Sequence, residues 1–439
     1  MGSETSLIGD SKSWRNRPDS LLPYLLCTAL LALPLSIALC NIVLGVSLIL
    51  ALITGIWWRG IKELYETTPT FAKVLTLYLS LIPIGLLWTP DVDRGLVILS
   101  KQWSWLLLPL ILIVFEQKVW RDRLLIFLSI GLGLHLLLSI SQAFGIPLPV
   151  KAPGGSGVGD PAGLIGHISF GLLYGVWTAW LIQWGLQRND KWRYIAWVFS
   201  AISIVMVFMV QGRSGYLVTV AVLALMVWKL WLNRANWKTL VLTAIIFTCA
   251  IIMLALGPAK ERTEWTINSI QALYYGDFKN AEARWSLWYT AWEGWKQHPF
   301  IGVGSGGYPS TAEKVLRSNT NLQFGNNLLP PSHPDYSLTP AHPHQMYLLD
   351  LVRWGPVGLL LLLTLLWQWF RLGSGSDWRE NHTDSLISMM ALALAVHGLS
   401  APSLEEYHSS MYATILLGLG LAGIKPNQKK KPCEAFLQD

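Results

Sequence analysis

The segment Leu124-Leu-Ile-Phe-Leu-Ser-Ile-Gly-Leu-Gly-Leu-His-Leu-Leu-Leu-Ser-Ile-Ser-Gln-Ala-Phe144 contains no Asp, Glu, Lys or Arg. A helix needs roughly 20 mainly apolar residues to cross the hydrocarbon core of a bilayer, and this one meets that length. Its N-terminal flank carries Lys118, Arg121 and Arg123. Runs of the same kind recur on both sides, at 21–39, 41–58, 70–88 and 95–116 before it, and at 162–185, 194–210, 215–233, 239–257, 346–370, 384–400 and 407–424 after it. The expectation is an all-α integral membrane protein of about 12 transmembrane helices. The first two runs are so close together that they must form a tight helical hairpin.

Composition agrees with that class. Of 439 residues 52% are hydrophobic and 13% are charged, against about 25% charged in ordinary soluble domains. The chain has 24 Trp, a residue that gathers at membrane–water interfaces. Apolar runs repeat almost end to end, so 1–439 reads as one polytopic membrane domain, with 258–345 as a loop inserted between helices nine and ten. Cys27, Cys40, Cys249 and Cys433 show no ligand spacing, so neither disulfides nor a zinc site is expected. The first apolar run lacks a convincing small-residue cleavage site and reads as a retained helix.

The formal net charge of +7 would suit a nucleic-acid partner, but its placement argues for topology instead. With the N-terminus in the cytoplasm, the inside segments hold 21 of the 33 Lys and Arg, among them Arg59, Lys62, Arg188, Arg193, Lys229 and Lys429. The short outside loops and adjoining helix ends hold Arg94, Lys101, Lys151, Arg213 and Arg353. Cytoplasmic loops carry the excess of Lys and Arg, so both termini are expected in the cytoplasm and 258–345 outside. Within that loop, 257–279 is polar, with room for a helix lying on the membrane. Trp285, Trp288, Trp292 and Trp295 are spaced to share one helical face. A Gly-rich turn follows at 301–307, and then a Pro-, Asn- and Ser-rich irregular stretch at 318–340.

A few polar residues stand out. Arg213 sits in Gln211-Gly-Arg-Ser-Gly215 at an outer turn, against the positive-inside trend. It either snorkels into the headgroups or binds an anion; a guanidinium grips phosphate oxygens through two parallel donors. Arg284, on the Trp-rich segment, is either a solvated charge or the second half of such a grip. His342 and His344 flank Pro343 at the mouth of helix ten. Imidazole titrates near neutrality and suits proton transfer, and a structural role at the helix start is the alternative. A metal pair lacks nearby Asp, Glu or Cys to complete a ligand set. For His167 a core or capping role is expected. His397, Glu405 and Glu406 near the outer mouth of helices eleven and twelve either line a cavity or face water. There is no P-loop, no nucleotide-binding Gly motif and no paired-Asp signature of a metal–nucleotide-sugar site.

Three stretches in order resemble the O-antigen ligase/Wzy-type polymerase superfamily of bacterial polysaccharide-assembly membrane proteins. They are Arg213-Ser-Gly215; Arg284-Trp-Ser-Leu-Trp288 followed by His298-Pro-Phe-Ile-Gly-Val-Gly304; and His344-Gln-Met-Tyr-Leu348 with Gly355-Pro-Val-Gly358. The resemblance implies a GT-C-like membrane fold in the bacterial inner membrane and an inverting, metal-independent glycosyl transfer at the periplasmic face without a cofactor. It implies a donor glycan on undecaprenyl diphosphate, with Arg213 and Arg284 on the diphosphate, His344 as general base and His342 as a possible substrate contact. The usual Asn after that His is Gln345 here. The leading reading is an O-antigen ligase acting on lipid A–core. O-antigen polymerase and protein O-oligosaccharyltransferase are alternatives, and a membrane transporter is an alternative of another class. Transport predicts ionisable groups at mid-membrane depth, of which the apolar runs hold few.

Overall fold

A computed structural model of the chain describes residues 21–148, 157–232, 258–275, 283–318, 341–375, 378 and 382–424. The predicted ninth helix (239–257), the irregular stretch 319–340 and the basic tail beyond 424 lie outside the described residues, as do Cys249 and Cys433. What is described is helical, with one isolated bridge between Gly157 and Asp160. The helices are α1 (Leu22–Ala32), α2 (Ile37–Ile53), α3 (Ile56–Thr67), α4 (Pro69–Ile84), α5 (Val92–Lys101), α6 (Leu107–Val114), α7 (Lys118–Ala143), α8 (His167–Leu186), α9 (Trp192–Met209) and α10 (Arg213–Leu232). After the gap come α11 (Pro258–Tyr274), α12 (Ala283–Gln297), α13 (Tyr308–Ser318), α14 (Met346–Ser374), α15 (His382–His397) and α16 (Tyr407–Leu421). Among the described residues, six segments are long and apolar enough to cross a membrane: Pro69–Leu87, Val92–Val114, Lys118–Ala143, Trp192–Met209, Arg213–Trp231 and Met346–Ser374. The protein is a multi-pass membrane protein.

Two of the segments picked from the apolar pattern are not simple rods. The run 41–58 ends at Ile53, where Gly55 takes a left-handed φ of 74°. The chain then turns by 85° into α3, which carries Trp57, Arg59 and Lys62. An 85° turn with cationic residues directly after it is the form of a helix that leaves a span and lies across it. The run 95–116 is a pair of helices joined by a 3₁₀ segment, Gln102–Leu106. Caps define other ends: the Ser36 hydroxyl accepts from the Leu39 N–H at 3.3 Å, and the Asp91 carboxylate accepts from the Arg94 N–H at 2.8 Å. Both satisfy donors that the first helical turn leaves unpaired.

The buried hub is α8, packed against α9, α10, α15 and α16. Gly171 and Gly175 allow the closest approach. A Cβ on Gly171 would stand 2.1 Å from the Gly215 Cα, and one on Gly175 would stand 2.9 Å from the Thr219 hydroxyl. This small-xxx-small contact lets α8 and α10 cross almost backbone to backbone. One turn further out, Gly212 packs against the His167 carbonyl. The crossing thus sets the start of α10, and Arg213 with it, beside the start of α8.

The Gly-rich turn at 301–307 does not float above the helices. It plugs a kink in α14, where Gly355 is non-helical (φ 65°, ψ −160°) and Pro356 follows. Pro356 has no N–H, so the helix leaves carbonyls without their usual donors. The turn supplies them: the Val303 N–H donates to the Val352 carbonyl and the Gly304 N–H to the Arg353 carbonyl, each at 2.9 Å. On the other side, the Ser305 hydroxyl donates to the Ile82 carbonyl of α4 at 2.7 Å and accepts from the Trp354 indole at 3.1 Å. Gly302 (φ 67°) makes the fit possible, since a Cβ there would stand 2.4 Å from the Arg353 and Val352 carbonyls. Gly302→Ala is therefore expected to destabilise the folded protein by about 3 kcal/mol, combining a strained φ with a backbone clash. Thermal unfolding of the solubilised protein measures it, and an unchanged midpoint would mean the turn is not held in the kink.

Candidate functional site

A cavity of about 760 Å³ is lined by Ser100, Lys101 and Trp103, by residues 165–169 at the start of α8, and by Glu405, Glu406, Tyr407 and Ser410 at the start of α16. Lys101 is the last residue of α5, and the following 3₁₀ segment presents Trp103.

Of the residues singled out in the sequence, His167, Glu405 and Glu406 line this cavity, and Arg213, Arg284, His342 and His344 do not. Arg213 opens α10 beside His167, as the Gly212 contact requires. Its Nη1 donates to the Thr266 hydroxyl of α11 at 2.7 Å, and its guanidinium lies 4.8 Å over the Trp265 ring. Arg284, half-buried on the first turn of α12, is within electrostatic reach of His397. The His397 ring in turn bonds the Ile168 carbonyl at 2.8 Å, and Ile168 lines the cavity. Arg213 therefore neighbours the N-terminal turn of α8, whose free N–H groups favour anions. On α12 the Trp rings form two pairs, Trp285 edge-on to Trp288 at 4.9 Å and Trp292 tilted against Trp295 at 4.7 Å.

His342 and His344 sit at the start of α14, with ring centroids 4.3 Å apart and planes at 69°. His344 is the one non-glycine among the described residues with a positive φ, 53°. Strain of this kind persists only where the surroundings enforce it, and it concentrates at functional positions. One enforcing contact is the His344 N–H, which donates to the His342 Nδ1 at 3.2 Å. That bond occupies the lone pair on Nδ1. Burial, with help from neighbouring His344, pushes His342 down to about 3. His342 is therefore neutral with its proton on Nε2, a donor rather than a proton acceptor. Gln345 is the N-cap of α14, its side-chain oxygen accepting from the Leu348 N–H. Where the superfamily pattern has Asn, the longer amide performs the capping that Asn does well.

Near this junction lies a buried charged cluster. Arg353 makes a two-pronged ion pair with Glu405, and the Tyr78 hydroxyl donates to Asp350 at 2.9 Å. Burial alone would raise the Glu405 carboxyl, but the Arg353 guanidinium outweighs it and holds Glu405 below its usual range. Among the described residues Glu406 makes no such ion pair; burial pushes it up to about 7, with the Ser169 and Ser409 hydroxyls 3.5 Å away. His342 feels the charges of Glu405, Arg353 and Lys101, so the histidine junction and the cavity share one electrostatic neighbourhood.

The sequence reading passed over Lys101, left Glu405 and Glu406 undecided and gave His167 a core or capping role. His167 is instead part-exposed at the cavity wall. A usable signal existed for Lys101, which breaks the positive-inside trend as Arg213 does. Asp350 and Arg353, three apart inside an apolar run, were equally visible as ionisable groups in a spanning helix. Among the described residues no three His, Cys, Asp or Glu side chains converge on a metal-binding point.

Residues 197–363 match the family model described as O-antigen ligase. This segment is similar to the O-antigen ligase family. No curated protein matches the chain. The O-antigen ligase segment contains Arg213, Arg284, His342, His344 and the turn that plugs the α14 kink, and the match supports the superfamily resemblance drawn from those motifs. The residues that line the cavity, Lys101, His167, Glu405 and Glu406 among them, all fall outside it, in the flanking segments.

Proposed function

We propose that the protein is an O-antigen ligase: an inverting, metal-independent glycosyltransferase of the bacterial inner membrane. It moves a glycan from undecaprenyl diphosphate to a sugar hydroxyl of lipid A–core at the periplasmic face. What supports this reading is the O-antigen ligase match over a segment that holds two arginines and a backbone-strained histidine, with Arg213 opening α10 beside His167 at the wall of one cavity. In the reaction the acceptor oxygen attacks the anomeric carbon from the face opposite the diphosphate. The new C–O bond forms as the old one breaks, its electron pair leaves on the diphosphate, and the hydroxyl proton passes to His344. Arg213 and Arg284 neutralise the charge growing on the leaving group, a role fixed cations fill without a metal. Base catalysis at His344 is worth about 10²–10⁴-fold. Lipopolysaccharide banding in a deletion strain tests the assignment. Core with unattached glycan supports the ligase, and core carrying a single repeat indicates a polymerase instead.

The topology that goes with this reading is twelve spans, 258–345 in the periplasm between the ninth and tenth, and both termini in the cytoplasm. Its support is the loop-by-loop distribution of Lys and Arg. Reporter fusions at Lys279 and after Lys431 are expected to report periplasm and cytoplasm respectively. Periplasmic activity from the C-terminal fusion would overturn the topology and the placement of the site with it.

A further inference from the structure

The wall of the cavity at the start of α8 carries a second, separately built imidazole. Asp160 is 4% exposed, pinned by a reciprocal backbone pairing with Gly157 at 3.0 and 3.1 Å. One of its carboxylate oxygens accepts the Gln211 N–H at 2.9 Å. The other lies 2.9 Å from the His167 Nδ1. A carboxylate only accepts, so Nδ1 of His167 carries the proton, and in the neutral ring Nε2 keeps its lone pair. The side chain remains 37% exposed and lines the cavity with Lys101, Trp103, Glu406 and Tyr407.

Those groups together have the chemistry of a sugar site. A pyranose presents hydroxyls that both donate and accept around its edge, and an apolar C–H face. Here an acceptor nitrogen with a fixed tautomer (His167), a carboxyl (Glu406) and an ammonium (Lys101) surround aromatic rings (Trp103, Tyr407). The Tyr407 hydroxyl is committed to the Asn41 side chain at 2.7 Å, which leaves its ring for contact. The arginines, by contrast, supply only donors and suit the anionic diphosphate.

We infer that this wall is the acceptor-sugar subsite, with His167, oriented by Asp160, accepting a hydrogen bond from a hydroxyl of the incoming pyranose. The inference rests on the glycosyltransferase reading. His167 binds and positions the acceptor, and His344 takes the proton. Asp160→Asn should invert the effect of the pair. Asn has one accepting oxygen for two donors, so its amide N–H turns to Nδ1 and Nε2 becomes the protonated atom.

The test uses the full-length protein in nanodiscs with two readouts. The first is saturation-transfer NMR with methyl glucoside and methyl galactoside as probes. The second is transfer from undecaprenyl-diphosphate-linked glycan to lipopolysaccharide lacking O-antigen. For His167→Ala we expect loss of the glycoside signal and about a ten-fold rise in acceptor KM, the size of one lost hydrogen bond. Undecaprenyl diphosphate binding and thermal midpoint should not change, and kcat should stay within about threefold. His167→Gln, which returns an accepting oxygen near Nε2, should recover most of the affinity. An unchanged KM and glycoside signal in His167→Ala overturns the subsite, as does a fall in thermal midpoint that accounts for the whole loss. A wild-type protein that binds glycosides through His167 yet transfers nothing leaves the subsite standing and removes the transfer reading.

Discussion

His344→Ala will lower glycan transfer by about 10²–10⁴-fold, the range that general-base catalysis supplies, while leaving the fold and donor binding in place. Three observations lead to that expectation. His344 stands directly before a long, well-packed helix, where a reacting group is held on a rigid element. Its backbone is kept in the left-handed region, a strain that alanine would share, so the variant isolates the imidazole. The neighbouring histidine is unsuited to accepting the proton, because His342 is neutral and its Nδ1 lone pair is occupied. His342→Ala is therefore expected to be the milder change, acting through the loss of the acceptor that holds the His344 N–H. Single-turnover transfer assays on both variants, at matched protein levels, measure this. A dead His342→Ala beside an active His344→Ala would mean that the wrong histidine has been assigned, and two active variants would rule out a histidine base.

The second large effect concerns the cations. Arg213→Lys and Arg284→Lys should each cut transfer by roughly 10²-fold or more, comparable to removing one preorganised donor from a site of developing charge. Lys keeps the charge but has no planar fork to take two phosphate oxygens at once. For Arg213 there is a further reason: its guanidinium lies over the Trp265 ring while reaching Thr266, and a lysine ammonium cannot stack and fork together. Binding of undecaprenyl diphosphate should weaken in parallel with activity. If both lysine variants transfer at the wild-type rate, neither arginine grips the diphosphate through its fork.

Much of the helical layout was legible because a spanning helix announces itself by composition over a long window. The runs at 70–88, 124–144, 194–210, 215–233 and 346–370 each contain a helix that meets the length and apolarity of a span. What composition does not show is where such a run breaks. The turn at Gly55 and the 3₁₀ segment after Lys101 depend on backbone angles that an apolar average conceals. The site was legible in part for a similar reason. Arg213, Arg284 and His344 were found because each sits in a short motif or against a charge trend. Glu405 and Asp160 have partners far along the chain, Arg353 and Gln211, and no local pattern reports such pairings. Arg353 itself was seen only as an outside charge, whereas its two-pronged pair with Glu405 ties the start of α16 to the middle of α14.

The way the 301–307 turn is seated in the α14 kink has a consequence for exchange between relatives. The helix cannot complete its own backbone bonding at Val352 and Arg353, and the turn has no other seat of matching shape. Neither piece is a module. A chimaera that grafts the external segment of another family member onto this chain, but keeps the native 346–374, would leave buried carbonyls unmet unless the incoming turn carried glycines in the same register. A graft taken across the whole of 298–358 would bring lock and key together. Viable natural recombinants should therefore break outside that interval.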